Sequence, residues 1–86
     1  MKLGIRVDIG EGATELIVSP YAIIGWEKEH KTKVSRLVSE GIGFSDLAEL
    51  SWRQLRLEDR FTGDLDSFEK RLVLIEPYEV ENPKRG

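Results

Sequence analysis

The segment LGIRVDIGEGATELIVS, residues 3–19, leaves this chain little choice of local structure. Leu3, Ile5, Val7 and Ile9 alternate with Gly4, Arg6 and Asp8. After the turn GEG the pattern resumes, with Leu16 and Val18 on the apolar side and Glu15 opposite. Successive side chains of a strand project to opposite faces, so a period of two builds one apolar and one polar face. Two such runs joined by a Gly-containing connection predict a β-hairpin over residues 3–18.

Helical signals follow at once. Ser19 is a good N-cap, Pro20 suits the first helical position, and Val18 and Ile23 are spaced for a hydrophobic staple. The first helix is expected over about 20–30, with Ile23, Trp26 and His30 along one side. Gly25 weakens it by about 1 kcal/mol relative to alanine, or lets another element approach closely. A short helix over 33–40 is expected, with Thr32 as cap, Val34, Leu37 and Val38 inward, and Gly41 as terminator. A long helix is expected over 44–59, its apolar stripe formed by Phe44, Leu47, Ala48, Ser51, Trp52 and Leu55. The last helix is expected over 66–76. Asp66 and Glu69 would make its capping box, and Leu65, Phe68, Leu72 and Ile75 its buried seam, with Pro77 as terminator. The fold class is therefore α+β: an N-terminal β-hairpin followed by three or four helices in one small domain spanning 1–77. Residues 78–86 read as a polar, flexible tail.

At 86 residues the chain makes one domain at most. A chain this short buries roughly 60–65% of the surface its unfolded form exposes, and the usual reinforcements are missing. Without cysteine there are no disulfides, and one histidine without cysteine excludes the common structural zinc sites. Association with another copy or another protein is the remaining aid. The absence of cysteine, the ordinary 40% hydrophobic and 34% charged content, and the lack of any run of membrane length fit a soluble cytoplasmic domain. A net charge of -3 disfavours nucleic acid as a partner.

Catalytic chemistry finds no foothold in these residues. His30, the only imidazole, has no nucleophile or second partner at a recognisable spacing, and a structural or surface role suits it better. GIGFSD begins like a dinucleotide fingerprint, but Asp46 stands where the third glycine belongs. DLDSFE begins like a calcium loop, yet it lacks the sixth-position glycine and has Ile75 in place of the twelfth-position glutamate; helix capping explains it better. EKEHKTK is a solvated, mixed-sign face. The expectation is no enzyme, no metal and no cofactor. VSRLVSEGIGFSDLAELSWRQLR has the outline of a helix-turn-helix, but Asp46 and Glu49 lie where phosphates would approach, which disfavours DNA.

Two leucines of the long helix stand out. At roughly 100° per residue, Leu50 and Leu57 point away from the apolar stripe, one above the other, beside Arg53 and Gln54. Either the hairpin or the last helix folds over them, making them core, or they form an exposed strip for a partner.

Taken end to end, the chain resembles the tail assembly chaperones of long-tailed, siphovirus-type bacteriophages. The resemblance rests on the hairpin with its Gly-x-Gly turn and on the Trp26-Glu27 pair in IIGWEKEH. It rests further on DLAELSW, where Asp46, Leu47, Ala48, Leu50 and Trp52 match and Ser51 replaces the commoner alanine, and on SFEKRLVLIEP, with Phe68, Glu69 and Glu76. Leu72 replaces the usual second phenylalanine. The resemblance implies a protein of the host cytoplasm, absent from the mature virion. Such a protein coats the tape measure protein, keeps it soluble and helps recruit major tail tube subunits. It also implies that many members are made in a longer form by a programmed −1 frameshift; Asn82-Pro83-Lys84 can be encoded AAC CCA AAA, which contains a slippery heptamer. Self-association along the client is expected, with no nucleic acid and no membrane as partners. The expected partner surface is Leu50, Arg53, Gln54 and Leu57. A structural tail-completion or adaptor protein that stays in the particle is the alternative.

Overall fold

A hairpin stands where the alternation places it. In a computed structural model, which describes residues 3–79, β1 (Leu3–Asp8) pairs antiparallel with β2 (Thr14–Ile17). Asp8 closes the turn: its Oδ1 accepts from the N–H of Gly10 at 2.7 Å and of Gly12 at 3.2 Å. Both glycines have φ near +100°, a region that side chains with a Cβ rarely adopt. Leu3, Ile5, Val7, Leu16 and Val18 are buried, as the period of two requires.

The C-terminal part departs from expectation. The helix expected over 66–76 ends early: α4 covers Leu65–Lys70, and Leu74–Glu79 form a third strand, β3. It pairs antiparallel with the other side of β1, from Leu3 opposite Glu79 to Asp8 opposite Leu74, giving the sheet order β2-β1-β3. The physical reason is the open hydrogen-bonding row along β1, which LVLIEPYE can satisfy while its β-branched Val73 and Ile75 suit a strand. Pro77 sits opposite Ile5 in an edge strand, where proline is tolerated. On the outer face the Arg6 guanidinium bridges both neighbours, at 2.7 Å from Glu15 and 2.9 Å from Glu76, and these two carboxylates raise its pKa. Tyr78 lies flat over Gly4, where a Cβ would come within 2.6 Å of its ring. Tyr78 and Glu79 thus belong to the sheet rather than to a tail; the remainder of the expected tail, 80–86, lies outside the described residues.

The helices cover the other face. α1 (Pro20–His30) starts as expected, Ser19 accepting from the N–H of Ala22. α2 (Val34–Glu40) lacks the Thr32 cap; instead Oε2 of Glu27 accepts from the Val34 N–H at 2.8 Å, tying the second helix to the first. Val34 is buried and Leu37 half-buried, while the side chain of Val38 lies outside what is described. α3 (Phe44–Leu57) is the longest, and the Asp46 carboxylate accepts from the N–H of Gly43 at its start. α4 is capped by Asp64 rather than Asp66: Oδ1 of Asp64 accepts from the Ser67 N–H at 2.9 Å.

The core has two clusters, and α3 reaches both. Leu47 and Leu50 join Leu3, Ile5, Val18, Ala22, Trp26 and Val34. Ala48 and Leu55 join Val7, Leu16, Phe61 and Phe68, the last two edge to face at 5.3 Å. Phe44, expected on the buried stripe, is instead 75% exposed at the first position of α3, where no element crosses it.

Two expectations follow. Ser51 is fully buried and its hydroxyl has no hydrogen-bond partner. Ser51→Ala removes that unmatched group and improves helix propensity, so it should raise stability by about 1–2 kcal/mol, read as a higher urea midpoint at unchanged slope. The Asp64 carboxyl is held below its ordinary range, first by the Ser67 backbone N–H and then by the Ser67 side chain. A depressed carboxyl contributes stability above its unfolded pKa, about 4, and loses it as pH falls through the lower folded value. Asp64→Asn keeps a capping oxygen but cannot titrate, so stability measured between pH 5 and pH 2 should fall less steeply in the variant.

Candidate functional site

α1 and α3 are joined at three points, and the joints decide which residues of α3 remain available. Oε1 of Gln54 accepts from the Ser19 N–H at 2.8 Å, and its Nε2 donates to Glu58 at 2.6 Å. Glu49, buried between the helices, accepts from His30 Nε2 at 2.7 Å and from Arg53 Nε at 3.0 Å. Gly25 is the third joint: a Cβ there would stand 2.7 Å from a terminal nitrogen of Arg53. The missing side chain lets the guanidinium lie against α1.

α1 begins level with Gln54, while α3 continues for most of another turn. An open groove of about 350 Å³ lies between the first turn of α1 and the last turns of α3, lined by Tyr21, Ala22, Trp52, Arg53, Arg56 and Leu57. Ala22 is buried, whereas Tyr21 is 74% and Leu57 45% exposed. Trp52 is half-buried and fixed by a hydrogen bond from its Nε1 to the Gly63 carbonyl at 3.1 Å. The Arg56 guanidinium stacks over the Trp52 ring, 5.1 Å from its centroid. The result is an apolar slot with two arginines beside it.

The four residues expected to meet a partner divide in two. Leu50 has no exposed surface and packs in the first core cluster; Gln54 is buried, with its amide occupied on both sides. Neither is available to a partner: hairpin residues Leu3, Ile5 and Val18 share the cluster of Leu50 with Ala22 and Trp26 of α1, and the start of α1 holds Gln54. Arg53 and Leu57 line the groove. Tyr21, Trp52 and Arg56 were not singled out for it from sequence. The spacing Trp52-x-x-x-Arg56 carried a signal, since residues four apart on a helix are neighbours and an arginine can stack on a tryptophan there.

Among the described residues no group of three histidine or carboxylate side chains gathers closely enough to hold a metal, and no helix is long and apolar enough to cross a membrane. Compared with known proteins, the chain matches no family model, no curated protein and no solved structure. The groove itself carries the functional reading.

Burial separates the two leucines experimentally. Leu50→Asp places a carboxylate in the core, so the far-UV helical signal should collapse at 25 °C. Leu57→Asp, at a half-exposed position, should keep the wild-type spectrum and shift stability by about 0.5–1 kcal/mol at most. A folded Leu50→Asp protein would show that α1 does not cover that face.

Proposed function

We propose that this chain is a non-enzymatic assembly chaperone of the phage-tail type, which holds the helical tape measure protein in solution in the host cytoplasm and is released as tail tube subunits assemble. The observation that carries the reading is the uncovered groove: an apolar slot on a rigid helix pair, with Tyr21 and Leu57 presented to solvent. An amphipathic helix laid into such a slot buries apolar side chains at helical spacing, a common mode of helix recognition. DLAELSW, one of the segments on which the family resemblance rests, supplies Trp52 to this groove and leads straight into Arg53, Arg56 and Leu57.

The energetics suit a temporary contact. Leu57 is already partly covered, so completing its burial contributes less than the ~1.5–3 kcal/mol of a fully exposed leucine. Association costs are subtracted from that sum. Repeated weak contacts along a long client hold it while leaving each contact reversible.

Co-expression with a tape measure protein from a long-tailed phage tests the reading. The wild-type chain should keep the client in the soluble fraction, and Tyr21→Asp with Leu57→Asp should fold normally yet leave it in the pellet. Equal rescue by the double variant would remove the groove from the function. Finding the chain as a regular constituent of purified particles would favour the adaptor instead.

A further inference from the structure

Arg56 differs from every other arginine among the described residues. Arg6, Arg36, Arg53, Arg60 and Arg71 each hold a carboxylate within ion-pair distance. Arg56 meets none among the described residues; it lies stacked on Trp52. Trp52 in turn is held by Gly63. A guanidinium presents its N–H donors in a planar fork that matches a carboxylate. That of Arg56 lines the same slot as Tyr21, Ala22 and Leu57.

We infer that the groove reads a partner helix carrying a bulky apolar side chain in the slot and an Asp or Glu one turn away, the carboxylate being taken by Arg56. This rests on the groove being the partner site and adds what the partner must carry. Residues three or four apart lie on one helix face, so an apolar anchor and an acid at that spacing reach the slot and the fork together. Charge supports the choice. In the groove Arg53 is already held by Glu49, so among its described lining residues Arg56 is the cation left to attract an acid. A phosphate backbone would meet one unoccupied guanidinium and an overall negative surface, a poor match for nucleic acid. A carboxylate paired with the exposed Arg56 also favours one register of the bound helix, because a shifted helix leaves it unpaired.

The test uses a stapled helical peptide with Leu followed four residues on by Glu, together with its Glu→Gln and Glu→Lys versions. Each is titrated into the full nitrogen-15-labelled chain while the indole N–H signals are followed. Trp52 reports on the groove; Trp26, buried in the core, is the internal reference. The Glu peptide should shift Trp52 and bind about tenfold more tightly than the Gln peptide, and the Lys peptide should be weaker still. Arg56→Gln should erase the Glu-over-Gln preference, and Arg56→Lys should restore only part of it. Equal Glu and Gln affinities with Trp52 shifted would overturn the acidic requirement and leave the groove reading standing. No shift with any peptide would overturn both. A Trp52 signal that moves with protein concentration alone would assign the groove to a second copy and overturn the inference.

Discussion

The burial of α3 along two flanks organises everything else in the molecule. Leu47 and Leu50 anchor one core cluster and Ala48 and Leu55 the other. In so small a domain neither cluster would be stable alone, since surface dominates volume at this size. Glu49 fixes the orientation of the helix pair. A buried carboxylate with two hydrogen-bonding partners constrains where α1 can lie, because displacing His30 would cost it one of those bonds in the interior. The Ser19–Gln54 contact fixes the other end, so the hairpin enters α1 at a set level of α3.

Much of this was legible in sequence where the signal is local. The alternation from Leu3 to Val18 specified the hairpin, and Ser19-Pro20 specified the start of α1. The spacing of Leu47, Ala48, Ser51 and Leu55 specified the inward face of α3. β3 was not legible for a physical reason: LVLI fits a helical seam and a strand equally well over four residues. What decides between them is the vacant edge of β1, contributed by residues at the opposite end of the chain. The capping of α4 shows a similar ambiguity on a smaller scale. Asp64 and Asp66 each have a suitable residue three positions on, and only the observed hydrogen bond to Ser67 distinguishes them.

The groove was half legible. Leu50 and Leu57 share an angular position on α3, so angular reasoning treats them alike. Their difference is axial: α1 covers the level of Leu50 and Gln54 and begins too late to cover Leu57. Position along an axis depends on where a neighbouring element starts, which periodicity does not encode. The spacing of Trp52 places it on the core stripe, but an indole is large enough to have one edge inside and one face in a groove.

The arginines connect the fold to its use. Arg53 and Arg56 lie one turn apart beside the same slot, yet the fold treats them differently. Gly25 and Glu49 together make Arg53 part of the α1–α3 joint, so its charge is spent inside the domain. Arg56 lies over Trp52 and meets no carboxylate among the described residues. A guanidinium already held against a ring loses less conformational freedom when it takes a carboxylate, which reduces one of the costs of binding. On the proposed reading, the slot supplies modest affinity and an Arg56–carboxylate pair selects the partner. Modest affinity with selectivity from one polar contact is what the proposed transient holder of a long helix would require.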